Sequence, residues 1–407
     1  MSRLSPLLLG SCLLLGACNS RSDSGQPAAA ADPTAGPTPA AAPAALVDSP
    51  GAWYRQYRGL LPGSADSITL HLQAWPRLPN DTESAGMQGS YAGADGHPYE
   101  LLGDVEVPVA ADSVVLTDYS PEHNPGDANG GITWRLRRED DGQLTGTVGG
   151  QPVRLRPVQP LGSVALAARF YQDSVAAYPG QASSPHATMR LLALLPAGPA
   201  ATLQANLLRH LRGDTTEAQP APALDSLWRQ QLREYARDYR LDAQERSAES
   251  EELPGYALSY DSQTITHVYW NQAPLLSLGY LRYSYSGGAH GGYSTQVVTY
   301  DTRTGRPLHY EDIFRPTAEA PLRALLEATA RRTFHLAPGA ALDEVLFEKH
   351  LPVTRNVFLT SGGAVFVYAP YEIASFAQGE IRLFVPLQQL RPLLQPSLPL
   401  DPEVARR

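Results

Sequence analysis

Between Trp53 and about Val158 the chain is cut into short alternating segments, "SITLHL", "MQGSYAG", "YELLGDV", "SVVLTD", "ITWRLRR", "GQLTGTV" and "PVRLRPV", punctuated by Gly or Asp-Gly. Alternation has a period of two, so each segment carries one apolar face and one polar face as a strand and has no coherent face as a helix. Ile68, Leu70 and Leu72 share one such face, as do Ile132, Trp134 and Leu136. Strands this short, at this spacing, bury those faces by closing into a small antiparallel barrel or sandwich. An all-β, barrel-like module over 51–160 is therefore expected. His71 with Trp75, and Trp134 with Arg135, read as core and surface positions of its strands in preference to a sugar-binding aromatic site.

The second half mixes periods. Leu224, Leu227, Trp228, Leu232, Tyr235 and Tyr239 recur every three or four residues and predict one apolar helical face. "APLRALLEATARRTF" repeats the pattern, with Pro321 where a first helical turn tolerates it. Around these helices lie the strand-like segments "ITHVYW", "LLSLGYLRYSY", "YSTQVVTYD", "AVFVYAPY" and "EIRLFVP". That order predicts an α+β domain over 161–392, an antiparallel sheet with helices on one face, followed by a tail over 393–407.

The N-terminus, "MSRLSPLLLGSCLLLGACNS", has one positive charge, an apolar core from Leu7 to Leu15, and small residues before a cysteine. A core of about nine residues falls short of the roughly 20 a membrane span needs, so 1–18 reads as an export signal. Leu15, Gly16, Ala17 and Cys18 resemble the lipobox of bacterial lipoproteins, which implies that Cys18 is lipidated and heads the mature chain. Residues 19–50, dominated by Ala, Pro, Ser and Gly, bury too little to fold and read as a tether. Such a tether spans roughly 30 Å as a coil and up to ~90 Å if proline extends it. With Cys12 lost in the signal and Cys18 acylated, no thiol is left for a disulfide or a thiolate metal site, so the fold relies on its apolar core.

A net charge of −9 over 407 residues argues against nucleic acid, whose phosphates need a basic face, and suits a cationic protein partner. "YSYSGGAHGGYSTQVVTYDTRTGRPLHYEDIF", followed by "FVYAPYEIASFAQGEIRLFVPLQQL", resembles the extracellular domain of RsiV-type anti-sigma factors, which also stands beside catalytic domains in PdaC-type peptidoglycan deacetylases. The resemblance spans roughly 165–392, with its motifs within 255–392. It implies a lysozyme-binding domain without catalytic residues of its own. Anti-sigma action is not expected, because a lipoprotein signal replaces the cytosolic segment and membrane span of that family, and no deacetylase domain is recognisable.

Within the motif, His290 sits among Gly287, Gly288, Gly291 and Gly292, between strand ends at Tyr285 and Tyr293. Glycines supply positive φ at a hairpin reversal, and no second ligand stands at metal-binding spacing, so His290 reads as a turn histidine bonded to backbone. "YEDIF" reads as a helical turn with Ile313 and Phe314 inward. Tyr371 and Glu372, after Pro370, end an apolar strand at a loop, where binding residues concentrate. The expectation is a non-enzymatic lipoprotein of the bacterial envelope, at the outer membrane, with no cofactor or metal. Tyr285, His290, Tyr293, Tyr371 and Glu372, at loop ends of one sheet, would present aromatic and acidic groups to a lysozyme-type muramidase or to peptidoglycan. The competing reading is a peptidoglycan-binding or glycan-modifying accessory protein.

Overall fold

The computed structural model describes residues 46–77, 86–104, 112–123, 130–214, 219–249, 255–337 and 339–400. The signal, Cys18, most of the tether and the last seven residues lie outside them. Asp48 and Ser49, at the end of the expected tether, belong to the fold, since the Asp48 carboxylate accepts the Ala168 N–H at 2.8 Å and the Ser49 N–H bonds the Ala168 carbonyl at 2.7 Å.

Eight antiparallel strands form a closed barrel: β1 (Trp53–Leu60), β2 (Ser67–Ala74), β3 (Met87–Ala92), β4 (Pro98–Gly103), β5 (Ser113–Asp118), β6 (Ile132–Arg138), β7 (Leu144–Val148) and β8 (Gln151–Val158). β8 returns to pair with β1, so no edge is left open. The alternating residues point inward as the pattern demands, and Leu70, Leu72, Leu101, Leu116, Trp134, Leu144 and Leu155 are all 0% exposed. The barrel is therefore filled by its own side chains.

A six-stranded sheet follows, in the order β14-β13-β12-β11-β10-β9. Its strands are β9 (Leu166–Ala176), β10 (His186–Pro196), β11 (Asp261–Gln272), β12 (Leu275–Tyr285), β13 (Gly292–Asp301) and β14 (Arg306–Leu308). Every pairing is antiparallel except β10 with β11, which is parallel. Parallel neighbours need a crossover, and the crossover is made by the helices α1 (Ala201–Arg212) and α2 (Leu224–Glu249). Leu203, Leu207 and Leu211 of α1 and Leu227 and Trp228 of α2 pack on one face of this sheet.

The chain then forms α3 (Tyr310–Ile313), α4 (Glu319–Thr333) and a second antiparallel sheet, β15 (Val357–Leu359), β16 (Gly363–Tyr368) and β17 (Ile381–Pro386). Ile313 and Phe314 are buried at 0% and 1% exposure. Phe358, Val365, Val367 and Phe384 of the small sheet pack against Tyr269 and Val297 of the large one. Residues past 392, expected as a tail, continue on this core: Leu394 bridges to Phe314 and is 5% exposed. The barrel and both sheets fall in one compact unit, Ala44–Arg407. Side chains of β1 to β3 bond the backbone of β11, with Gln73 Nε2 donating to the Thr266 carbonyl at 2.6 Å and Ser90 Oγ to the Val268 carbonyl at 2.8 Å. Among the described residues no helix is long and apolar enough to cross a membrane.

Candidate functional site

The hairpin joining β12 to β13 carries three of the residues singled out in the sequence, and the loop after β16 carries the other two. These are ends of two different sheets, not of one as expected. Phe376, in a short helical turn over Phe376–Gln378, brings three of the five together. His290 stacks on its ring at 4.0 Å and 19°, Tyr371 lies tilted at 5.5 Å, and Tyr293 meets it edge-on at 5.9 Å. Aromatic pairs at these separations are each worth about 0.5–1.5 kcal/mol beyond the area they bury. His290 is exposed and its Nδ1 lies 2.9 Å from the Gly291 carbonyl, inside its own turn. Tyr285 donates to the Gly288 carbonyl at 3.1 Å and does not reach the cluster's ring contacts. Glu372 is exposed and accepts the Ala369 N–H at 2.9 Å, so one of its oxygens closes its own loop.

Tyr371 has an unusual backbone. The Glu372 N–H bonds the Ala369 carbonyl at 3.0 Å, making a four-residue turn with Pro370 second and Tyr371 third, and φ at Tyr371 is +68°. Proline presets the second position of such a turn, while positive φ at the third favours glycine. A tyrosine held there, 60% exposed, is strained locally without the compensation of full burial.

Beside this rim, between barrel and sheets, opens a cleft of about 500 Å³. Tyr293 belongs to both, since its ring packs on Phe376 and also lines the cleft. Gly379, at φ +65°, leaves room for its hydroxyl, which would stand 3.0 Å from an added Cβ. Arg382 crosses the cleft's inner end. Its guanidinium bonds Glu100 of the barrel at 3.0 Å and Glu380 at 2.8 Å, and lies 5.0 Å over the Tyr269 ring. Burial favours deprotonation of Arg382, but Glu100, Tyr269 and Glu380 outweigh it and hold the guanidinium well above its ordinary range. A paired charge network of this kind tolerates burial, whereas deleting one member leaves an uncompensated charge.

The barrel's side of the cleft carries a second cluster. Asp118, fully buried, bonds His123 Nδ1 at 2.7 Å and the Tyr91 hydroxyl at 2.7 Å, and its other oxygen accepts the Ser120 N–H at 2.8 Å. Burial opposes ionisation of Asp118, yet the bonds from His123, Ser120 and Tyr91 prevail and keep its carboxyl below the usual range. The same bond raises His123. Tyr99 stacks between His123 and His97, at 4.2 and 4.4 Å, and His97 lies flat on Phe384 at 4.4 Å. A carboxylate holding one imidazole nitrogen is the orienting half of a general-base pair. Among the described residues no group of three or more His, Cys, Asp or Glu side chains is arranged to hold a metal ion.

Sequence reasoning missed Phe376, Glu380, Arg382 and the whole barrel wall of the cleft. Phe376 stands in the same "PYEIASFAQGE" stretch as Tyr371, and an aromatic in a polar loop was the available signal. Glu100 and Arg382 are 282 positions apart, as 382 − 100, and nothing in their spacing announces the pair. His71, Trp75 and Trp134 are buried at 3%, 7% and 0% exposure, as core positions should be.

The architecture is that of a filled barrel docked on an α+β domain, with its recess between the two. Residues 311–388 match the family described as "Protein of unknown function (DUF3298)", the domain found in RsiV-like proteins. A crystal structure of a DUF3298 family member from Bacteroides fragilis is similar, at 21% identity and a TM-score of 0.51, over 58% of this chain and 96% of that one. A second family member, from Pseudomonas aeruginosa, aligns over 57% of this chain and 95% of that one at 20% identity and a TM-score of 0.42. The first likeness shares the fold. No curated protein matches the chain.

Proposed function

We propose that the chain is a non-catalytic binding protein of the bacterial envelope, tethered through lipidated Cys18, whose partner is a lysozyme-type muramidase. The observation that carries this reading is Tyr371, an exposed aromatic held at φ +68° and packed, like His290, on Phe376. Strain kept at an exposed aromatic serves contact with something outside the fold. Rigid aromatic anchors supply binding energy at low entropic cost, and a net charge of −9 accelerates encounter with a cationic enzyme. The match to a domain found in RsiV-like proteins supports the same partner.

Calorimetric titration of the mature chain with a c-type lysozyme, a g-type lysozyme and soluble muropeptides tests it. One of the lysozymes should bind, more weakly as salt rises, and Phe376→Ala should cost at least tenfold in affinity. Silence with both lysozymes overturns the reading. A second reading, an accessory protein acting on cell-wall glycan, is favoured by the Asp118–His123 pair beside the cleft. Release of acetate or reducing ends from peptidoglycan, abolished by His123→Gln, would favour it.

A further inference from the structure

The cleft asks for a ligand of its own. One side chain on its floor, His267 at 4% exposure, carries a polar atom, Nε2, without a hydrogen-bond partner among the described residues, while the Tyr269 side chain beside it is engaged by Arg382. The protonation of His267 follows from its neighbour. Gln73 Nε2 lies 2.6 Å from the Thr266 carbonyl, which fixes the amide's orientation, and 3.2 Å from His267 Nδ1. An amide nitrogen only donates, so Nδ1 accepts and the ring proton sits on Nε2. Burial keeps the ring neutral, with its pKa pushed down to about 3. A buried N–H without an acceptor costs on the order of 1–3 kcal/mol, a penalty that a bound acceptor removes. The recess behind these residues, about 10 Å³, has room for one water at most.

The walls say what kind of acceptor. Tyr99 and Tyr119 from the barrel side, Tyr283 and Tyr293 from the large sheet, and Phe334 from the end of α4 give the cleft flat apolar surfaces with phenol tips. Its carboxylates are already engaged: Glu100 by Gln88 and Arg382, Glu380 by Arg382 and the Thr295 N–H, and Glu122 by the Thr333 hydroxyl. Each retains lone pairs for hydroxyl donors but none stands free as a counter-ion. An anion would face three carboxylates against one arginine. A cation would leave the Nε2–H opposed by like polarity. A ligand rich in hydroxyl and amide groups, with apolar C–H faces for the rings, satisfies both donors and acceptors, and 500 Å³ lies within the range of small-ligand sites.

We propose that the cleft between barrel and sheets is a binding site for a neutral saccharide, with a sugar ring against Tyr119 and a hydroxyl or acetamide oxygen accepting from His267. This site adjoins the muramidase surface at Tyr293 but does not rest on that reading. The test uses the full mature chain, titrated with chitotriose, cellotriose, spermidine and galacturonate, and repeated with Tyr119→Ala and Glu122→Gln, both exposed positions whose loss leaves the core intact. One of the two neutral trisaccharides should bind and the charged probes should not. Tyr119→Ala should weaken binding about five- to tenfold. With 15N-labelled histidine, the His267 Nε2–H resonance should move on saturation while that of His71, enclosed between barrel and sheet, stays. Binding of spermidine or galacturonate in place of the saccharides, no binding at all, or binding that neither surface variant weakens each overturns the proposal. A fixed His267 resonance during binding assigns its N–H to an internal water and overturns it as well. Because Phe376 is untouched, lysozyme affinity should be unchanged in both variants, so the two readings fail separately.

Discussion

Tyr371 sets the terms at the scale of one residue. Its left-handed φ costs a non-glycine residue on the order of 1–2 kcal/mol, while its contact with Phe376 returns about 0.5–1.5 kcal/mol. The two nearly cancel, so Tyr371→Gly should leave stability within about 1 kcal/mol of the parent and yet weaken the muramidase at least tenfold. Urea unfolding and lysozyme titration on the same sample decide it, and a variant that loses stability by 2 kcal/mol or more would show the ring to be a core contact. The hairpin residues were legible because glycine-flanked tyrosines mark a reversal, and His290 does bond backbone within its turn. What the hairpin turns toward was not legible. Phe376 lies 86 positions after His290, as 376 − 290, and their stacking depends on how two sheets are placed.

Elements show where periodicity speaks and where it falls silent. The barrel strands alternate because one face meets core and the other water, and the sequence declares them. β10, by contrast, reads "HATMRLLALLP" and is buried along nearly its whole length, so it carries no alternation that announces a strand. A continuous apolar run of that kind suits a strand covered on both faces. Without β10 the parallel crossover cannot be inferred. The docking of barrel on small sheet is equally hidden, because it rests on two glycines. Gly96 at the β3–β4 turn and Gly362 at the β15–β16 turn meet backbone to backbone, and a Cβ on Gly362 would stand 1.6 Å from the Asp95 carbonyl oxygen. Thr360 Oγ1 donates to the Gly96 carbonyl at 2.7 Å across the same contact. Gly362→Ala must therefore push the two turns apart, at an expected cost of about 2–3 kcal/mol, with unfolding of barrel and sheets no longer coincident when followed by two probes. A loss under 0.5 kcal/mol would mean the turns do not touch.

For the molecule as a whole, buried histidines tie stability to pH. His71, His210 and His267 are held neutral by burial, with pKa values near 3, 4 and 3. His71 and His267 accept at Nδ1 from Tyr54 and Gln73, so protonating either breaks a bond as well as charging the interior, whereas His210 Nδ1 donates to the Asn206 carbonyl at 2.9 Å and protonation there charges the interior alone. In the unfolded chain all three titrate near 6.5. Below that value the unfolded state binds protons that the folded state refuses, so their contribution is complete above about pH 6.5 and drains as pH falls toward 4. Each contributes about 1.4 kcal/mol per pH unit, and together about 4, against a typical total stability of 5–15 kcal/mol. His123 works on the other side of neutrality. Its folded pKa is raised by Asp118, so its contribution is complete below 6.5 and is lost as pH rises through the folded value. Stability should therefore peak near pH 6.5 and collapse within about two units on the acid side. Urea midpoints at pH 4.5, 5.5 and 6.5 measure the acid slope, and His71→Gln, whose carbonyl can still accept from Tyr54, should reduce it by about a third. An unchanged slope in that variant would mean that His71 is protonated in the fold.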